Sequence, residues 1–308
     1  AFPAINWEGI SMSTAITTSF ITAYSDKVHE TFQRRGSHLL QAVYHKSDVI
    51  GSSCVFHRVG TGVATTKSRH GTITPMNQTH AAPSATLADF YAGDWVDKLD
   101  EAKININERD VIASGGAMAL GRQVDSQILT ILTTTTEATL TFTLTSAATV
   151  RAGLLRMVEE LFDNNVPNDG ECYGVLTPRM WSQALTVDSF SRAEFVGWDG
   201  LPYKTGASIG IGKWKDWLGV KWGFHTGLTG KGGATAENYV WHKTAIGYAS
   251  AKSAGNIAGN AAVAADITWH GDRAAHFVNH MMSGESVLID TTGVIQSNSD
   301  DTLAIVTT

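Results

Sequence analysis

The stretch WHGDRAAHFVNHMMSGES, from Trp269 to Ser286, gathers three histidines, His270, His276 and His280, with Asp272 and Glu285 close by. Imidazole and carboxylate are ordinary zinc ligands, and a zinc-bound water is a hydrolytic nucleophile. On a helix, His276 and His280 would share a face, as in metallohydrolases carrying H-E-x-x-H. Phe277 stands where that motif needs its glutamate, so the motif is absent. On a strand, all three histidines have even numbers and share one face. His276 and His280 are then about 13 Å apart at ~3.3 Å per residue, whereas one zinc ion needs each nitrogen within about 2.1 Å. The spacing favours histidines on a half-buried sheet face or at an interface. A zinc-dependent hydrolase using His270, His276 and His280 is the alternative.

Other chemistry-bearing patterns are weaker. GASIGIGKW and GLTGKGG have the look of phosphate loops, but Lys213 precedes Trp214 and Lys231 precedes Gly232, so neither ends in the required Lys-Ser/Thr. Asp97, Asp100 and Glu101, and the pair Glu159 and Glu160, have no partner constellation and read as solvated faces or intersubunit charge pairs. Cys54 and Cys172 lie far apart, lack a nucleophile context and read as reduced packing residues. No catalytic residue, metal site or cofactor is expected.

The composition bounds what such residues are mounted on. The 308 residues are 43% hydrophobic and 17% charged, below the usual ~25% charged, as expected of a surface largely covered by other subunits. A net charge of -6 argues against gripping nucleic acid as the main task. No apolar run approaches the ~20 residues of a membrane span, so no membrane partner is expected. AFPAINWEGI lacks the basic head and apolar centre of a signal peptide. The chain reads as soluble and made in the cytoplasm.

Along the chain, residues 1–47 read as an extended arm rich in Ile, Phe and Trp, with a helical spacing at Phe20, Tyr24, Val28 and Phe32. Residues 48–100 are rich in Thr, Ser, Gly and His. Two strand-like runs, Ser52–Val59 and Leu87–Val96, flank a polar centre, Thr65–Ser84, which predicts a long projecting hairpin. In the next segment, Ala113, Ala117, Leu120, Val124, Ile128 and Ile131 form one apolar helical stripe, with Asn107 as its N-cap. TLTFTLTS reads as a strand. A second helix follows Ser146, with Val150, Leu154, Met157 and Leu161 inward. CYGVLTPRMWSQALTV reads as a strand, a Thr177 cap and a helix led by Pro178. The remainder is strand-rich to the closing TLAIVTT, with TGKGGATAE as a loop. This order makes an α+β protein.

Three segments together resemble the major capsid proteins of tailed bacteriophages, which share the HK97-type fold. The hairpin Ser52–Val96 with VDKLDEAK and the helix Glu108–Leu132 resembles the family's extended loop leading into its spine helix. LTSAATVRAGLLRMVEELFDNNVPNDGECYGVLTPRMWSQAL is similar to its axial domain, and DITWHGDRAAHFVNHMMSGESVLIDTTGVIQ to its return into the peripheral domain. The resemblance implies an arm over 1–47, an extended loop over 48–100, a peripheral domain with the spine helix over 101–137, an axial domain over 138–265, and closing strands over 266–308 that rejoin the peripheral domain. It implies a virion protein that assembles with itself, as hexamers and pentamers, into an icosahedral shell around double-stranded DNA. Separate scaffolding, portal and decoration proteins are the implied partners. The candidate intersubunit contacts are Phe2, Ile5 and Trp7 on the arm, Lys67, Arg69 and His70 at the hairpin tip, and His276 and His280. Another virion part, a decoration or tail protein, is a further alternative.

Overall fold

The structure, a computed structural model, describes residues 36–103, 108–142, 144–191, 214–252 and 264–305. Phe2, Ile5, Trp7, the helix expected around Phe20–Phe32 and the Asn107 cap lie outside them.

In chain order, β1 (Tyr44–Val49) precedes four short hairpin strands: β2 (Ser53–Val55), β3 (Arg58–Val59), β4 (His80–Ala81) and β5 (Ser84–Thr86). The ten-residue β6 (Ala88–Asp97), α1 (Lys98–Lys103) and the spine helix α2 (Glu108–Leu132) follow. Then come β7 (Leu140–Thr141), α3 (Ala147–Asp163), β8 (Cys172–Leu176), α4 (Pro178–Ala184) and α5 (Asp188–Ser191). The rest is β9 (Lys215–Trp217), β10 (Val220–Phe224), β11 (Ala236–His242), β12 (Ile246–Ala251), β13 (Ala264–His270), β14 (Ala275–Leu288) and β15 (Val294–Ser299).

Two large sheets organise eleven of these strands, and the four hairpin strands form two two-stranded sheets, β2-β5 and β3-β4. One has five strands in the order β1-β12-β14-β13, with β6 also paired to β14; the other has six, β7-β15-β11-β8-β10-β9. β8 shows why the second sheet is a central layer. All five of its residues are buried. Cys172 and Leu176 face the core formed with α3, α4 and α5, while Tyr173 and Val175 face the core containing the spine helix. A strand covered on both faces reads as a continuous apolar run.

The local signals that set α3 and α4 are intact. Ser146 and Thr149 form a reciprocal capping box, and Val150, Leu154, Met157 and Leu161 are fully buried. Each such side chain contributes roughly 1.5–3 kcal/mol by burial. Thr177 caps α4 through Met180 N–H at 3.2 Å, with Pro178 in the first turn.

Several expectations are corrected. The hairpin's return arm is β4 and β5, residues 80–86, which pair with β3 and β2, and Leu87 N–H still donates to Ser52 O at 2.9 Å; the rest of the run, from Ala88, instead belongs to β6 and pairs with β14. Alternation in that run gave no sign of which partner it would take. Residues 36–47 are not a free arm: Leu39, Ala42 and Val43 are buried in the spine-helix core and β1 pairs with β12. On the spine helix, Leu120, Val124 and Ile128 are buried as expected, but Ala117 is exposed and Ala113 only half-buried, because the packed face broadens at the C-terminal half to include Leu129 and Leu132. Among the described residues of TLTFTLTS the strand is Leu140–Thr141, continued by the Phe142 N–H donating to Asn298 O at 3.0 Å, and residues 302–305 form no strand. The block 138–265 contributes β12 to the five-stranded sheet, and the block 266–308 contributes β15 to the six-stranded one. Both switches occur at short 3-10 turns, Lys243–Ala245 and Thr291–Gly293, between runs of equal apolarity.

Candidate functional site

The hairpin is fastened at its base and bare at its tip. Cys54, Phe56 and Ala85 are buried against Ala249 of β12, with Val287 and Ile289 beside them. Gly247 admits the Phe56 ring, since a Cβ there would lie 2.8 Å from it. Arg58 adds an ion pair to Asp290 at 2.9 Å. Beyond Gly60, whose N–H donates to Thr79 O at 2.7 Å, contacts with the rest of the subunit cease to bury side chains. Lys67, Arg69 and His70 are all exposed, with His70 in the left-handed turn at φ 71°. Val63 and Ile73 are each 76% exposed. The tip is thus a polar loop that carries bare aliphatic side chains.

The three histidines do not share a face. Residues 271–274 form a turn, so Trp269–Ser286 is a hairpin of β13 and β14 rather than one strand. His270 pairs with Ala275, which resets the parity. His270 lies against Trp95 at 5.0 Å between ring centroids and near Phe277 at 6.4 Å, on the sheet face away from the spine helix. His280 lies under the helix at Gly116, and His276 packs on Trp269 at 4.8 Å. His280 is buried, and the Nδ1 atoms of His276 and His280 have no hydrogen-bond partner among the described residues. No group of three or more His, Cys, Asp or Glu among the described residues is placed to hold a metal. The hydrolase alternative needs all three histidines around one ion, and two sides of one sheet cannot supply that.

The far face of the five-stranded sheet is aromatic. Trp95 stacks on Phe277 at 4.6 Å between centroids, the Arg273 guanidinium lies 4.5 Å over Trp95, and Tyr91 is 68% exposed. This patch is not among the candidate sites named from the sequence. The available signal was β6 itself, where Phe90 and Ala92 alternate with Tyr91 and Trp95, so both faces are apolar. The acidic pairs resolve differently from one another: Glu159 and Glu160 both meet Arg156 within α3, at 3.1 and 3.0 Å, and Asp97 accepts the Leu99 N–H at 2.7 Å at the start of α1.

A family model described as phage capsid protein matches residues 16–300. The chain belongs to the phage capsid protein family. Solved structures agree on the fold. A structure titled for Mycobacterium phage Che8 is 17% identical with a TM-score of 0.63, covering 90% of this chain and 97% of that one. The capsid of the cyanophage P-SCSP1u is 14% identical with a TM-score of 0.66, covering 92% and 94%. The capsid of the cyanophage Pam1 is 12% identical with a TM-score of 0.64, covering 96% and 100%. No curated protein sequence matches. The fold is the mixed helix-and-sheet fold of phage capsid subunits, and the chain is a major capsid protein, a shell-forming component of the virion. Among the described residues no helix is long and apolar enough to cross a membrane.

Proposed function

We propose that this capsid protein closes an icosahedral shell, built of hexamers and pentamers around double-stranded DNA, by laying its hairpin over one neighbouring subunit and its N-terminal segment over another. The observation that carries the reading is the hairpin's asymmetry: a base buried on its own sheet and a tip whose aliphatic residues are bare. Lys67, Arg69 and His70 at the tip dock on an acidic patch of the next subunit, and Phe2, Ile5 and Trp7 anchor the N-terminal segment. His276 and His280 lie on the internal strand β14 and His280 is buried within the subunit, so they are proposed to act in contacts through the flanking strands β13 and β6 that they support. A net charge of -6 suits a wall that contains DNA without gripping it. Scaffolding, portal and decoration functions come from other proteins, assembly follows synthesis in the host cytoplasm, and the subunit performs no catalysis. Many modest contacts, repeated by symmetry, make such a shell stable.

Deletion of residues 62–78 tests this. It spares β3, β4 and the buried base, which a cut reaching Ser84 in β5 would destroy. The expected product is a soluble, folded subunit that forms no shells by electron microscopy. Normal shells from the deleted chain would overturn the proposed role of the hairpin.

A further inference from the structure

The spine helix carries a carboxylate with no exposed role. Asp125 is fully buried. Its Oδ1 accepts hydrogen bonds from Ser37 Oγ at 2.6 Å and from the Leu39 N–H at 3.1 Å, and the His38 N–H reaches Oδ1 and Oδ2 at 3.0 and 3.1 Å. Oδ2 also meets His225 Nε2 at 3.2 Å. The Gly227 N–H donates to His225 Nδ1 at 3.0 Å, which leaves the ring hydrogen on Nε2, directed at the carboxylate.

One helical turn earlier stands Gly121. A Cβ there would lie 2.7 Å from the backbone carbons of Gly36 and 3.0 Å from Ser37 N. Gly36 itself takes φ +68°, a conformation that favours glycine. Behind this contact Leu39, Ala42 and Val43 are buried, and Trp241 Nε1 donates to Ala42 O at 2.8 Å. Between them, the bare side of one helical turn receives Gly36 and Ser37 and the carboxylate of the next receives Ser37, His38 and Leu39.

We infer that Gly121 and Asp125 form a mooring on the spine helix that fixes where, and in which direction, the chain before Gly36 leaves the subunit. The inference rests on the proposed reach of that segment to a neighbour. Both are positioning residues: they touch the root of the segment, not its contacts. A root held by charge-assisted bonds on a rigid helix presents the segment to its neighbour already ordered, so less conformational freedom is lost on assembly.

Hydrogen exchange on the soluble full-length subunit, paired with shell yield, tests this. In Gly121→Ala and Asp125→Ala the amides of His38 and Leu39 exchange at least about tenfold faster, the loss expected when a hydrogen bond to a charged group goes. Alanine is the better helix former, so in Gly121→Ala the protection of the spine helix itself holds or rises. A role limited to general core stability would move the two regions together. Asp125→Asn covers the case in which the alanine variant fails to fold: its Oδ1 still accepts from residues 37–39 but carries no charge, so His38 and Leu39 exchange faster than in the natural chain, by less than in Asp125→Ala, and the turn at 225–227 loosens. Shell yield falls severalfold in Gly121→Ala and equally in the triple variant Phe2→Ala, Ile5→Ala, Trp7→Ala. Unchanged exchange at His38 and Leu39 in Gly121→Ala and Asp125→Ala overturns the mooring. Fast exchange with full shell yield in Gly121→Ala, while the triple variant assembles poorly, overturns its role in assembly. Full yield from the triple variant instead sinks the reading of the N-terminal segment, and the mooring then stands on the exchange result.

Discussion

His280 lies directly beneath Gly116: a Cβ on that glycine would come within 2.6 Å of the imidazole Nδ1. The neighbouring Gly115 has nothing within 4 Å of the same construction. Two adjacent glycines in one helix therefore serve different ends. Gly116 lets the spine helix settle onto β14, whereas Gly115 gains no contact for its weak helix propensity.

Paired alanine substitutions separate the two. Gly115→Ala is expected to stabilise the subunit by about 0.5–1 kcal/mol, the difference in helix propensity. Gly116→Ala is expected to destabilise it by roughly 1–3 kcal/mol, the cost of overpacking a filled contact. Urea unfolding of the soluble subunit measures both. Equal effects would mean that helix and sheet part easily at this point.

The two sequence-visible caps differ in what stands behind them. The Ser146 hydroxyl serves the first turn of α3 and stays part-exposed. The Thr177 hydroxyl is fully buried, accepts from Met180 N–H and donates to Asp301 Oδ1 at 2.9 Å. Asp301 also accepts the Gly232 N–H at 3.1 Å, so Thr177 ties α4 to the loop after β10. Ser146→Ala should cost about 1 kcal/mol. Thr177→Val keeps the shape, removes both bonds and should cost about 2–3 kcal/mol, since a buried carboxylate loses a donor. Thermal or urea midpoints that rank the two in the opposite order would contradict this.

The contrast between those caps explains what the sequence makes legible. Residues that act within one turn of themselves, such as Ser146 with Thr149 or Pro178 after Thr177, are readable because spacing alone defines the interaction. Partners distant in sequence are not. Thr177 meets Asp301 and Asn238, and Ala88–Asp97 pairs with β14, through closures that leave no mark in local periodicity. His270 shows the sharpest form of this. A four-residue turn placed it on the opposite face from His276, and parity counted along one continuous strand could not register that. The hairpin is legible as a whole because its centre lacks core-forming residues, while its return arm is not, because HAAPSAT over 80–86 carries no strand signal and the next run, Leu87–Val96, does.

Cys172 offers a chemical check on the core between α3 and β8. Burial, reinforced by the nearby Asp169 and Glu171 charges, pushes its thiol up to about 11. The thiolate is the reactive form. At pH 8 the folded subunit should therefore react at Cys172 far more slowly than the unfolded chain does with a disulfide reagent. Cys54 is also buried, at the hairpin base. Modification followed by peptide mapping distinguishes the two, and rapid labelling of Cys172 in native buffer would be incompatible with the packing described.

The last prediction concerns acid. Burial alone would raise the Asp125 carboxyl, but the bonds from His225, Ser37, Leu39 and His38 outweigh it and hold the group below its ordinary value. A carboxylate lowered in the folded state binds its proton more readily when unfolded, so it adds stability above the unfolded value, near 4, and loses it as pH falls toward the folded one. Asp125→Asn cannot make this exchange. The stability difference between the natural chain and Asp125→Asn should therefore shrink as pH falls below about 4. Urea midpoints across pH 7 to 2.5 give that difference directly, because the other carboxylates cancel between the two chains. Protection of the His38 and Leu39 amides, taken relative to their intrinsic exchange at each pH, should fall over the same acid range in the natural chain, since those N–H groups donate to the carboxylate that is being protonated. A difference that is flat with pH would mean that the charge on Asp125 contributes nothing to the bonds it receives.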